Sequence, residues 1–178
     1  MCWKEIGMDE HLREVIRGCM SMVKLSLMWN GCRREDLVPT RGLRQGDPLS
    51  PYLFVLGMGK LTHLVAGCVS SKRWKPIKMG RNGTEVSHLF FADDLLLICE
   101  ADMDQMCMVM EVLEKFGNMS GQKVNLPKTS VYFSKNVDRN VQNEICMFSG
   151  FKRKDDLGRY LGAYLFKGRA KLKNFQFY

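Results

Sequence analysis

Between Asp9 and Lys24 the apolar residues Leu12, Val15, Ile16, Cys19, Met20 and Val23 recur at steps of three and four, the stripe of an amphipathic helix. The pattern then changes. In LSLMWNGCRREDLVPTRGL, Leu25, Leu27 and Trp29 stand before Asn30-Gly31, and a polar arm ending at Val38 follows, which predicts two strands joined by a tight turn. Asp47-Pro48 opens a long apolar segment from Leu49 to about Val69. Asp as N-cap and Pro at the first helical position, where its missing N–H does no harm, predict a central helix there. The next stretch, SSKRWKPIKMGRNG, is basic and turn-rich, with Gly80 and Asn82-Gly83 marking a connection.

Two short apolar runs come next, Phe90-Phe91-Ala92 and Leu95-Leu96-Leu97-Ile98, separated by Asp93 and Asp94. Each is too short for a helix and suits a buried strand, which puts the two aspartates at a hairpin tip. Ala101-Asp102 starts another helix, with Asp102 as N-cap, Gln105 three residues on, and Met106, Val109, Met110, Leu113 and Phe116 as its buried face. Gly117 to Gly121 ends it. SVYFSK reads as a strand, Asp138 to Met147 as a modest helix, and RYLGAYLF as a last strand. Strands and helices that do not strictly alternate predict an α+β fold, with helices packed on one face of a mostly antiparallel sheet. No internal repeat or low-complexity tract interrupts the chain.

Length and charge narrow the function. At 178 residues the chain has the size of one domain. Its 27 Lys and Arg against 19 Asp and Glu leave a formal charge of +8, which suits a partner carrying phosphates. Cys2, Cys19, Cys32, Cys68, Cys99, Cys107 and Cys146 include no C-x-x-C pair and no accompanying His cluster, so neither a zinc site nor a disulfide framework is expected. No apolar run approaches the roughly 18 residues that span a bilayer. The expectation is a soluble, intracellular protein without membrane contact.

The two aspartates are the first candidate for chemistry, the alternative being a solvated loop tip, since Asp is a common turn residue. Removing a carboxylate from water costs on the order of several kcal/mol, and two crowded carboxylates each raise the cost of ionising the other. A divalent cation removes that cost, and Mg²⁺ takes one or two carboxylates together with substrate phosphates. A second segment, RGLRQGDPLSP, places Arg41, Arg44, Gln45 and Gly46 just before a helix N-terminus. Backbone N–H groups and the helix dipole favour phosphate there, Gly46 permits close approach of backbone to ligand, and the arginines pair with phosphate oxygens.

RGLRQGDPLSPYLF, HLFFADDLLLIC, SGQKVNLPKTSVYFS and LGRYLGAYL, in this order, resemble the palm motifs of reverse transcriptases of the non-LTR, LINE-type retrotransposons, in the version abundant in plant genomes. The resemblance runs from about Ile6 to Arg169. It implies a polymerase palm and an RNA-directed DNA polymerase activity, in which a primer 3′-hydroxyl attacks a deoxynucleoside triphosphate with two Mg²⁺ ions; Mn²⁺ is an alternative metal. By the same resemblance Asp93 and Asp94 are metal ligands, Arg41, Arg44, Gln45 and Gly46 contact nucleotide and template, Lys128 lies near the triphosphate, and Tyr160, Leu161 and Gly162 grip the primer end. RNA template, DNA primer and deoxynucleoside triphosphates are the implied partners, and nucleus or cytoplasm the implied location.

The likeness has gaps. The family pattern also asks for an upstream strand of the form Asp-x-x-x-Ala-Phe/Tyr-Asp, and no such segment occurs in this sequence. Residues 1–178 therefore read as a partial palm domain, truncated on its N-terminal side and without thumb or endonuclease, and the isolated chain is expected to be inactive. The rival is a catalytically silent, basic nucleic-acid-binding fragment, using Lys72 to Lys78, Lys152 to Lys154 and Lys167 to Lys173. An intron-encoded maturase is a weaker alternative within the polymerase class.

Overall fold

The computed structural model describes residues 8–21, 24–38, 46–78, 80, 83–92, 94–156, 159–160 and 163–164. In chain order these form α1 (Glu10–Ser21), β1 (Leu25–Trp29), β2 (Cys32–Leu37), α2 (Ser50–Ser70), β3 (Ile77–Lys78), β4 (Glu85–Val86), β5 (His88–Phe91), β6 (Asp94–Leu97), α3 (Met103–Ser120), a 3-10 turn (Leu126–Lys128), β7 (Ser130–Tyr132), α4 (Arg139–Ser149), β8 (Lys152–Lys154), β9 (Arg159–Tyr160) and β10 (Ala163–Tyr164). The α+β class is as expected. The described strands pair two by two into five ribbons instead of joining one sheet, and the β7–β8 pair is parallel while the others are antiparallel. A parallel pair needs a crossover, and α4 supplies it.

The chain divides into two compact units, Met1–Leu64 with Val112–Lys123, and Val65–Glu111 with Val124–Tyr178. In the first unit the buried apolar residues are Ile16, Met58, Leu61, Val112 and Phe116. Leu12 and Val15, predicted to share the buried stripe of α1, are half exposed, and only Ile16 of that stripe is fully covered among the described side chains. The β1–β2 ribbon turns through Asn30 at φ 49 and Gly31 at φ 75, the paired left-handed conformation of a two-residue hairpin that Asn-Gly favours. Both of its faces are exposed. Asp36 ties its arms together: its carboxylate accepts from Ser26 Oγ at 2.6 Å and from Arg33 Nη2 at 3.0 Å. The Ser26 hydroxyl first, and Arg33 next, hold that carboxyl below its ordinary range.

Helix α2 begins two residues later than predicted. The Asp47 carboxylate accepts the Leu49 N–H at 2.8 Å and the Asp47 carbonyl accepts that of Ser50, so Asp47 closes a turn that leads into the helix. At its other end Lys72 takes φ 60. Arg73 N–H reaches the Cys68 carbonyl and Lys72 N–H that of Val69, the paired bonds that close a helix through one left-handed residue. By length and composition alone α2 is long and apolar enough to cross a membrane, which corrects the expectation that no segment is. Polar Lys60, Thr62 and His63 interrupt the run in sequence, and Gly57, Met58, Leu61 and Val65 form the buried stripe, as in a helix packed on one side.

The second unit is built around Trp74, which is 1 % exposed. Its indole Nε1 donates to the Ile98 carbonyl at 2.9 Å, so the large ring is buried with its one polar atom satisfied. Beside it Gln105, at the first turn of α3, is almost fully buried. Gln105 Oε1 accepts the Lys75 N–H at 2.8 Å and its Nε2 donates to the Arg73 carbonyl at 2.8 Å. Its own N–H donates to Asp102 Oδ1 at 2.7 Å, so Asp102 is the predicted N-cap. The buried face of α3 comprises Gln105, Met106, Met108, Val109, Val112 and Phe116, and Met110 and Leu113, assigned to it from the sequence, are half-buried. The stripe is rotated because Gln105 occupies a core position.

Replacing Gln105 by Leu strands the Lys75 N–H and the Arg73 carbonyl without a partner. We expect a loss of about 1–3 kcal/mol, read as a lower urea midpoint at unchanged slope. Gln122→Leu, at an exposed position, should move stability by less than about 0.5 kcal/mol.

Candidate functional site

The two apolar runs form a hairpin shifted by one residue from the prediction: Asp94 does not share the tip but opens the second strand, because it pairs directly with Phe91. His88 pairs with Leu97, Leu89 with Leu96, Phe90 with Leu95 and Phe91 with Asp94, which leaves a two-residue connection, Ala92-Asp93. Ala92 takes φ 49. A tight hairpin needs positive φ at its first central position when its twist is to match the strands, so a non-glycine residue accepts a disfavoured conformation there. Asp94 opens β6 and is exposed; its carboxylate stays in water. Asp93 lies outside the described residues.

The arms are less buried than their composition predicts. No residue of β5 or β6 is fully covered, and Phe91, across from Asp94, is 59 % exposed. The ribbon is held at its base. Ile98 N–H donates to the Ser87 carbonyl at 2.8 Å, and Glu100 N–H to the Lys75 carbonyl at 3.2 Å. The Ile98 carbonyl takes the Trp74 indole bond. Lys75 Nζ lies 3.1 Å from Glu100 and 3.6 Å from Asp102, and the Glu100 carboxylate, more than Asp102, raises the Lys75 pKa. Cys99, next to this base, is pushed up to about 11 by burial and by the neighbouring carboxylates of Asp102 and Glu100, so its thiol stays protonated at neutral pH and acts as a small packing group.

Lys128 ends a rigid turn. Asn125 caps it, its Oδ1 and carbonyl oxygen both accepting the Lys128 N–H, at 3.3 and 3.0 Å, and Thr129 Oγ1 donates to the same carbonyl at 2.9 Å. Pro127 fixes the middle of the turn. Lys128 is exposed and stands two residues before β7. Gly46 has φ +85, a conformation that side chains resist, directly before the Asp47 turn. Tyr160 belongs to β9, paired with Ala163 of β10. The assignments at Arg41, Arg44, Gln45, Leu161 and Gly162 fall outside the described residues. Asp94, Lys128 and Tyr160 belong to the second unit and Gly46 to the first.

His88 stacks its ring edge-on to Phe90 at 5.4 Å, with Ser87 Oγ 2.9 Å from Nδ1. Burial lowers its pKa below 6.5. The unfolded chain then binds the proton more readily than the native one. The hairpin should hold its full stability above about pH 6.5 and lose part of it as pH falls through the lowered native pKa. Ring-proton NMR shifts of His88 check the direction, and a native midpoint at or above 6.5 would contradict it.

Comparison with known proteins gives the family. The model of the reverse transcriptase (RNA-dependent DNA polymerase) family matches residues 2–165. An uncharacterised mitochondrial protein of Arabidopsis thaliana is 45% identical over 65 residues, 36% of this chain and 53% of that protein. The retrovirus-related Pol polyprotein of a type-2 retrotransposable element of Drosophila melanogaster is 36% identical over 103 residues, 58% of this chain and 9% of the polyprotein. The corresponding polyprotein of a type-1 element of Popillia japonica is 29% identical over 128 residues, 71% of this chain and 17% of its own length. The chain thus spans about half of one of these relatives and less than a fifth of the others. The likeness to non-LTR retrotransposon polyproteins agrees with the motif order, and a family match over nearly the whole sequence settles the placement: the chain belongs to the reverse transcriptase (RNA-dependent DNA polymerase) family.

Proposed function

We propose that this chain is part of the palm of a LINE-type reverse transcriptase and contributes to RNA-templated DNA synthesis. The observation that carries the reading is the family match over residues 2–165, joined to a two-residue hairpin whose second arm opens with the exposed Asp94. The family is one of metal-dependent nucleotidyltransferases acting with a nucleic-acid template and nucleotide substrates.

The donor chemistry fits a hard divalent cation. Among the described residues no three His, Cys, Asp or Glu side chains converge into a cage. An exposed Asp94 next to Asp93 in sequence is instead the one- or two-carboxylate set with which Mg²⁺ binds together with substrate phosphates. When bound, the metal pair supplies activation of the attacking oxygen and stabilisation of the leaving one. Asp93 and Asp94 hold and orient that charge. Lys128, on its capped turn, neutralises triphosphate charge; Arg41, Arg44, Gln45 and Gly46 receive nucleotide and template at the approach to α2; Tyr160, Leu161 and Gly162 steady the primer end. Residues 1–178 act in this reading as one portion of a larger palm.

Metal binding should be weak, because two carboxylates leave most of an octahedral shell to water. Titrating Mg²⁺ or Mn²⁺ should shift the amide signals of Ala92, Asp94 and Leu95, and the Asp93→Asn, Asp94→Asn double variant should lose that response. An equal response in the variant removes these residues from the site.

Primer extension on an RNA template tests the activity. Misplacement of reacting groups by about 1 Å costs on the order of a hundredfold, and this sequence contains no Asp-x-x-x-Ala-Phe/Tyr-Asp segment. The 178-residue chain should therefore give no measurable product, and supplying such a segment in frame should restore some. Extension by the short chain that vanishes on Asp93→Asn would show that the two aspartates suffice.

A further inference from the structure

We infer that the exposed face of the β7–β8 ribbon, carrying Lys152 and Lys154, is a contact surface for a nucleic-acid backbone, bound through phosphate charge without regard to sequence. The inference rests on the family reading for its partner, but its evidence is separate: the structure treats two basic runs that look alike in sequence in opposite ways.

The first run, Lys72 to Lys78, is occupied internally. Arg73 Nη2 lies 2.8 Å from Glu111, Lys75 Nζ 3.1 Å from Glu100 and 3.6 Å from Asp102, and Lys78 Nζ 3.4 Å from Glu85. Three of its four cations stand beside carboxylates, so the run presents little net charge to a polyanion.

The second run is different. β8 pairs in parallel with β7, Ser130 beside Lys152, Val131 beside Arg153 and Tyr132 beside Lys154. Successive strand residues point to opposite faces. Arg153 turns toward α4, where its Nη1 lies 3.4 Å from Gln142 Oε1 and its charge acts on Cys146. It also takes up Asp155, at 3.4 Å. Lys152 and Lys154 share the other face, about 6.6 Å apart along the strand. Both are exposed, and among the described residues neither has an ion-pair partner. The turn that ends at Lys128 precedes Ser130 by two residues, and its Leu126 lies near Gly150, the C-cap of α4. Two ammonium groups without an ion-pair partner among the described residues thus share one face of the ribbon, a spacing of point charges that suits successive phosphates.

The test measures binding of a fluorescent primer–template hybrid to the full 178-residue chain by anisotropy, from about 50 to about 300 mM salt. Each phosphate contact contributes about 0.7–0.9 to the slope of log K against log salt. Lys152→Gln with Lys154→Gln should weaken binding about three- to tenfold near 0.1 M salt and reduce the slope by about 1.4–1.8. Lys75→Gln with Lys78→Gln should change the slope by less than about 0.5. Lys152→Arg with Lys154→Arg, which keeps the charge, should retain the wild-type slope, and this separates charge from any effect on folding. An unchanged slope in the glutamine variant, an equal loss in the Lys75, Lys78 control, or a loss in the arginine variant overturns the inference. Amide shifts of Ala92 and Asp94 on Mg²⁺ titration are recorded on the same samples. Metal response with no change in slope sinks this surface and leaves the family reading standing; a changed slope without metal response supports the surface and counts against the metal site.

Discussion

The indole of Trp74 is the fixed point of the second unit. Buried to 1 % exposure, it directs its one polar atom at the Ile98 carbonyl, at the base of the hairpin that carries Asp94. A ring of that size contributes on the order of a few kcal/mol by burial, enough to define where a short ribbon leaves the body. Gln105 completes the arrangement by binding the backbone on both sides of Trp74, at Arg73 and Lys75. The hairpin itself buries little. Its geometry depends on what grips its base, so the positioning of an exposed carboxylate traces back to an aromatic side chain and an amide that have no chemical role of their own.

Charge is organised on the same principle. The segment from Arg73 to Lys78 faces Glu85, Glu100, Asp102 and Glu111, and exposed pairs of this kind contribute little stability each. Their effect is on what the surface offers to others. A chain with formal charge +8 attracts polyanions everywhere at long range, and cancelling one basic run internally leaves the remaining cations to decide where contact occurs.

Much of this was legible from residue order. Asn30-Gly31 named the first turn, Asp102 and Asp138 named the starts of α3 and α4, and the Asp138 carboxylate does accept the Asn140 N–H at 2.7 Å. The hairpin around the aspartates was placed by its two apolar runs. What escaped had physical reasons. β8 is Lys-Arg-Lys, exposed throughout, and a strand without apolar alternation leaves no periodic signal; its partner is also reached only through a helix, a non-local pairing. β3 and β4 are two residues each. Gln105 reads as the second half of a capping box with Asp102, because nothing in sequence reveals that two backbone groups from residues 73 and 75 converge on its side chain. The metal-binding, nucleotide and primer roles were named by motif order, and chemistry of single residues alone did not distinguish Asp93 and Asp94 from an ordinary turn.

The direct pairing of Phe91 with Asp94 has a consequence for sequence drift. A connection of two residues has no slack. One codon gained or lost within it must either break the pairing or shift one arm by a single step, and side chains alternate faces along a strand. Such a shift would carry Asp94 to the opposite side of the ribbon while leaving composition and hydrophobicity almost untouched. The length of the connection at positions 92 and 93, and not only the presence of its aspartates, is therefore a requirement for presenting Asp94 on its present side of the ribbon.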